Sequence, residues 1–181
     1  MWEKDDIKKV LFSNEEIVER CKELAVELKK DYENSDSPLL LVALLRGSVP
    51  FLGELIKHID MDIQYDFMDV TSYEGTESQG DIKILKDLEA SIQGYDILLV
   101  EDIVDTGKTI ETVVDTLYRK GAKSVKIVTL LDKPSRRVAD VKADYIGFEV
   151  ENEFVVGFGM DFNQKYRGLP YIGVLKDECY M

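Results

Sequence analysis

In this chain the apolar run Ile97-Leu98-Leu99-Val100 is followed at once by Glu101-Asp102. Ile103-Val104-Asp105-Thr106-Gly107 comes next, and then a helix-like stretch from Lys108 to Lys120. A short apolar strand that opens through a glycine turn onto a helix is the strand–loop–helix unit of a parallel sheet. The first turn of a helix has backbone N–H groups without internal partners, and these suit a phosphate. The adjacent acids are the unusual part. They repel a bare polyphosphate but suit a ribose diol or a hydrated Mg²⁺. One short loop is therefore able to hold a sugar phosphate at both ends. Gly107-Lys108-Thr109 also reads as the end of a P-loop, but that motif needs a glycine where this chain has Asp102. Any single Asp of this loop, taken alone, is an ordinary solvated turn residue; the ordered set is not.

The flanking sequence repeats the strand–helix alternation. Ser13-x-x-Glu16 is a capping box, followed by Ile17, Val18, Cys21, Leu24, Ala25 and Leu28 at helical spacing. Asn34 to Pro38 ends that helix, and Leu39 to Leu45 is a continuous apolar run that fits a strand buried on both faces. Arg46-Gly47-Ser48 leads into a helix from about Val49 to Ile59. Further strands are expected at Asp62–Val70, Ile82–Leu85, Lys123–Leu131, Asp144–Phe148, Phe154–Phe158 and Tyr171–Leu175, with a polar loop from Thr71 to Gly80. The expected fold is α/β: a doubly wound, mainly parallel sheet flanked by helices. Ligands of such sheets bind beyond the carboxyl ends of the strands, where both Arg46-Gly47 and Glu101 to Thr109 fall.

The length of 181 residues suits a single domain. A net charge of −13 argues against nucleic acid and anionic membranes as partners, and it requires local positive groups or Mg²⁺ for any anionic substrate. Met1 to Lys9 is charged and the longest apolar run, Pro38 to Leu45, is too short to span a bilayer, so a cytoplasmic protein with reduced thiols is expected. Cys21 and Cys179 have no metal-ligand spacing, and Cys21 falls on the apolar helix face. His58, the single histidine, reads as a capping or surface residue, which leaves little room for a Ser-His-Asp enzyme. Arg136-Arg137 reads as a surface pair or a subunit contact.

Val100-Glu101-Asp102-Ile103-Val104-Asp105-Thr106-Gly107 resembles the phosphoribosyl-pyrophosphate (PRPP) motif of the type I phosphoribosyltransferases. Three more segments are similar to the 6-oxopurine branch, the hypoxanthine (hypoxanthine-guanine) phosphoribosyltransferases. They are Leu45-Arg46-Gly47-Ser48, Leu131-Asp132-Lys133-Pro134, and Phe154-Val155-Val156-Gly157-Phe158-Gly159-Met160-Asp161 with Arg167 after it. The resemblance runs from about Leu39 to Leu175. It implies that fold, with a core over about 36–135, a small base-binding hood over about 136–181 plus N-terminal residues, and a flexible lid. It also implies a Mg²⁺-dependent reaction in which a 6-oxopurine attacks C1 of PRPP, pyrophosphate leaves and a nucleoside monophosphate forms.

The resemblance further implies residue roles. Asp105, Thr106, Gly107, Lys108 and Thr109 cradle the 5′-phosphate. Glu101 and Asp102 face the ribose hydroxyls and Mg²⁺. Arg46 and Gly47 form the pyrophosphate loop, in which a cis peptide is common, and Arg167 adds a guanidinium to the same oxygens. Asp161 orients waters of a second Mg²⁺. Phe154 stacks on the purine, Ile103 covers its other face, Lys133 donates to the 6-oxygen, and backbone groups of Val155 and Asp161 read the far edge. Asp105 lies near purine N7 as the catalytic carboxylate. Ser72-Tyr73 marks the lid, where Glu74 stands before Gly75 in place of the family's usual small residue. A dimer or tetramer is implied. The alternatives are an RNA-binding regulator of pyrimidine genes with the same fold, or an enzyme using xanthine or adenine. Net charge counts against the first, and Lys133 against adenine.

Overall fold

A computed structural model describes residues 4–72 and 82–180. Among the described residues, nine strands and three α-helices follow one another. They are β1 (Ile7–Phe12), α1 (Asn14–Tyr32), β2 (Leu39–Leu44), α2 (Val49–Leu55), β3 (Gln64–Ser72), β4 (Ile82–Lys86), β5 (Asp96–Val104), α3 (Lys108–Arg119), β6 (Ser124–Asp132), β7 (Tyr145–Glu149), β8 (Val155–Val156) and β9 (Ile172–Leu175). Six strands form a mixed sheet in the order β4-β3-β2-β5-β6-β7. Every pairing in it is parallel except β3 with β4. A second, three-stranded antiparallel sheet runs β1-β9-β8.

The capping box forms as read: the Ser13 hydroxyl accepts from Glu16 N at 3.3 Å, and Ser13 N donates to Glu16 Oε2 at 2.8 Å. Helix α1 then buries Ile17, Cys21, Leu24, Ala25 and Leu28 along one stripe. The apolar strands alternate between two cores, as a sheet covered on both faces must. Leu39, Leu41 and Ala43 of β2, with Leu98 and Val100 of β5, pack under α1 and α2. Leu40, Val42 and Leu44, with Ile97 and Leu99, pack under α3.

Four sequence expectations need correction. Helix α2 stops at Leu55 rather than Ile59. Beyond it His58 Nε2 meets Glu54 Oε1 at 2.9 Å, a role at the helix end. Strand β5 continues past the expected end at Val100 to Val104, so Glu101, Asp102 and Ile103 lie within it. The segment Phe154–Phe158 is not a main strand: only Val155–Val156 is extended, and it pairs in the small sheet. The expected division at about residue 135 does not follow the sheet boundary, because β7 pairs with β6 in the main sheet. The lid residue Tyr73, with 74–81, lies outside the described residues; Ser72 is the last residue of β3.

Chain order and sheet order together locate the ligand crevice. From β2 the chain crosses α2 to β3 on one side, and from β5 it crosses α3 to β6 on the other. The winding direction reverses between the adjacent strands β2 and β5, and that reversal opens a crevice at their carboxyl ends.

Candidate active site

Two loops meet in this crevice. After β2, the peptide bond between Leu45 and Arg46 is cis, and Gly47 is buried against Asp102. A Cβ at Gly47 would overlap the Asp102 carboxylate, so only glycine fits there. After β5, Gly107 adopts φ +82° and starts α3. The Arg46 side chain points to solvent.

Glu101 and Asp102 sit where strand alternation slips. Val100 and Ile103 both pack in the core beneath α1, whereas Val104 packs under α3. Glu101 is buried, and burial, followed by the neighbouring Asp102 charge, holds its carboxyl well above the usual range. Burial also pushes Asp102 up to about 6, although its carboxylate accepts from Ile103 N at 2.8 Å and feels the Arg167 charge. Among the described residues, no three His, Cys, Asp or Glu side chains converge as a metal cage.

A cleft of about 440 Å³ opens beside these acids. It brings together every residue expected around the base: Ile103, Lys133, Phe154, Val155 and Asp161, with Asp102 and Asp105 at its mouth. Lys133 is buried, and its ammonium donates to the Glu153 carbonyl at 2.6 Å. Burial lowers its pKa from the ordinary lysine value, partly offset by the Asp105 charge. Phe154 is held on two sides, by the edge of Phe162 (centroids 5.5 Å, 87°) and by the stacked ring of Tyr180 (4.8 Å, 24°). Asp105 Oδ1 is ion-paired with Arg136 Nε at 2.7 Å on the wall of the cleft.

The hood loop folds tightly onto the same place. Gly157, Phe158, Gly159, Asn163, Gln164 and Tyr166 all have positive φ, a concentration that marks a specially shaped turn. The turn places Asp161 Oδ1 2.8 Å from Arg167 Nη2, while Arg167 Nη1 donates to Gly159 O at 2.7 Å. Arg167 Nε is buried without a hydrogen-bond partner. Gly159 packs on the Gly47 carbonyl, which joins the hood to the loop after β2.

Arg136, Asn152, Glu153 and Tyr180 also line the cleft, and the sequence reading assigned none of them a place there. A spacing signal existed only for Arg136, three residues after Lys133 across Pro134.

Comparison with known proteins puts this fold and crevice in the phosphoribosyltransferase class. A family model described as "Phosphoribosyl transferase domain" matches residues 9–163, and the chain belongs to that family. Its relatives narrow the class. It is 55% identical over 181 residues to a hypoxanthine-guanine phosphoribosyltransferase of Streptococcus thermophilus, covering 99% of each chain. It is 53% identical over 178 residues to that of Bacillus subtilis, covering 98% of each. The crystal structure of a hypoxanthine phosphoribosyltransferase from Staphylococcus aureus matches with a TM-score of 0.93 at 49% identity, covering 98% of this chain and 96% of that one.

Proposed function

We infer that this chain transfers a 5-phosphoribosyl group from PRPP to hypoxanthine and guanine, releasing pyrophosphate and giving the nucleoside 5′-monophosphate. The full-length identity to hypoxanthine-guanine phosphoribosyltransferases carries the reading. The cleft agrees with it: a flat aromatic ring, a buried ammonium and an arginine-paired carboxylate surround one space.

Phe154, backed by Tyr180, stacks on the purine, and Ile103 covers the opposite face. Lys133 donates to the 6-oxygen and faces a 6-amino group with the wrong polarity, so adenine is rejected. Backbone groups of Val155 and Asp161 read the edge carrying N1 and the 2-position. Asp105 takes or shares the N7 proton as the base becomes a nucleophile. Thr106 to Thr109 hold the 5′-phosphate with the loop amides and the start of α3, Lys108 adding charge at its exposed edge.

Pyrophosphate leaves with growing negative charge. The amides around Arg46-Gly47, and Arg167 held by Asp161, face that charge, and stabilisation there acts on the transition state. Glu101 and Asp102 face the ribose hydroxyls. Glu101, Asp102 and Asp161 form no cage of their own, and Mg²⁺ would be held by few of these carboxylates together with waters and substrate phosphates. When bound, Mg²⁺ neutralises the pyrophosphate oxygens and fixes their geometry. Residues 1–181 act as one domain, and a homodimer or homotetramer is the expected assembly. No helix among the described residues is long and apolar enough to cross a membrane, and the reading places the enzyme in the cytoplasm.

Purified protein with PRPP and Mg²⁺ is offered hypoxanthine, guanine, xanthine, adenine and uracil separately. Nucleotide from hypoxanthine and guanine, with none from adenine or uracil, is expected. No product with any base overturns the reading and brings forward the RNA-binding alternative, against which the charge of −13 weighs.

A further inference from the structure

We propose that Arg137 is the positioning residue of the phosphate loop, holding the loop's carbonyls on one side so that its N–H groups face the 5′-phosphate. The inference rests on the assignment of residues 105–109 to that phosphate. The sequence offered Arg137 only as a surface or subunit-contact residue, but its side chain is largely buried, at 15% exposure.

Its guanidinium makes four bonds. Nε donates to Asp105 O at 3.0 Å, Nη2 to Val104 O at 3.3 Å and to the Asp132 carboxylate, and Nη1 to Val141 O. The same segment binds the rest of the turn. Lys133 N donates to Val104 O at 3.0 Å, and Val138 N and Ala139 N donate to Thr106 O at 3.0 and 3.1 Å. Three successive carbonyls, Val104 to Thr106, are thereby turned toward the segment 133–139. In a planar trans peptide the next N–H points the opposite way. The N–H groups of Asp105, Thr106 and Gly107 therefore point away from that segment, in line with the free amides that open α3. Successive N–H groups aimed to one side form an anion-binding concavity.

Packing ties Arg137 to the same turn. A Cβ at Gly107 would lie 2.9 Å from Arg137 Cδ and 3.4 Å from Ala139 Cβ, so the arginine stem lies directly beneath the glycine. Asp132, buried at the end of β6 opposite Val104, neutralises the charge. Arg137 is thus bound to protein groups beneath the turn and does not line the cleft, whereas Arg136, paired with Asp105 and Asn152, does. A fork of fixed donors spans these separated acceptors, whereas a single ammonium does not.

Two variants test the proposal, Arg137→Met and Arg137→Lys; the second keeps the charge and the stem and decides the matter if the first does not fold. Equilibrium binding of ribose 5-phosphate and of pyrophosphate with Mg²⁺ is measured for each. The expected result is a loss of ribose 5-phosphate affinity of about tenfold or more, the effect of misaimed phosphate hydrogen bonds, with pyrophosphate affinity unchanged within about twofold. In turnover, KM for PRPP rises while KM for hypoxanthine stays. Unchanged ribose 5-phosphate affinity overturns the proposal. Equal loss of both ligands also overturns it, since that marks a merely structural arginine. Failure of the wild-type protein to bind ribose 5-phosphate instead removes the phosphate-loop assignment itself.

Discussion

Replacing Lys133 by Met removes one ammonium while keeping most of the buried stem. In the free protein that ammonium donates to the Glu153 carbonyl at 2.6 Å, and Lys133 lines the cleft. A hydrogen bond from a charged donor contributes about 1.5–3 kcal/mol. At about 1.4 kcal/mol per tenfold, kcat/KM for hypoxanthine should fall about 10- to 150-fold. The Glu153 carbonyl loses its donor and becomes an acceptor that suits a 6-amino group. The preference for hypoxanthine over adenine should therefore shrink by more than the loss on hypoxanthine alone, while KM for PRPP stays near the parent value. Steady-state kinetics with both bases at saturating PRPP measure this. A Lys133→Met enzyme whose kcat/KM for hypoxanthine lies within about twofold of the parent refutes the pocket assignment, because an interaction of the stated size cannot be lost silently.

Asp105→Asn keeps the shape of the side chain but removes the charge beside Arg136; kcat should fall by about 100-fold or more with a change in PRPP affinity of less than about threefold, read from single-turnover rates and ligand binding. Cys21 is fully buried, and burial, followed by the Glu54 charge, raises its thiol from an ordinary 9.0 to about 12. The folded pKa is the higher one, so the contribution of this thiol to stability is complete below pH 9 and is lost as the pH rises toward 12. Urea midpoints between pH 8 and pH 11 should then fall more steeply in the parent than in Cys21→Ala, and a thiol reagent at pH 8 should modify Cys179 but not Cys21 until the chain unfolds.

Strong periodicity made most of the fold readable. The β2 run and the Ile97–Val100 run within β5 are apolar on every residue because both faces are covered, and the Ser13 capping box fixes the start of α1. β1 escaped notice for a physical reason: Lys8, Lys9 and Val10 are exposed on the outer edge of a small sheet, so no alternation is imposed on them. β8 is too short to show a pattern, and its Phe154 neighbour serves the cleft rather than a strand. The strand was expected to end at Val100 because charge usually leaves a sheet, yet β5 runs on to Val104, burying Glu101 and bringing Asp102 to the cleft. The resemblance singled out Ile103, Lys133, Phe154, Val155 and Asp161, and the fold brings them to one cleft. Arg137 was not singled out, since its partners are main-chain carbonyls that any residues would supply. Tyr180 lies 26 residues after Phe154, and only the folded hood stacks the two rings.

The central claim is that one cleft reads a 6-oxopurine while the adjoining loop holds its phosphate. The most direct measurement is a crystal structure of the protein with inosine 5′-monophosphate. The account predicts the purine against Phe154, its 6-oxygen within hydrogen-bond reach of Lys133 Nζ, and the phosphate on the amides of Thr106 to Thr109. A base bound away from Lys133, or a phosphate held anywhere but that loop, would contradict it.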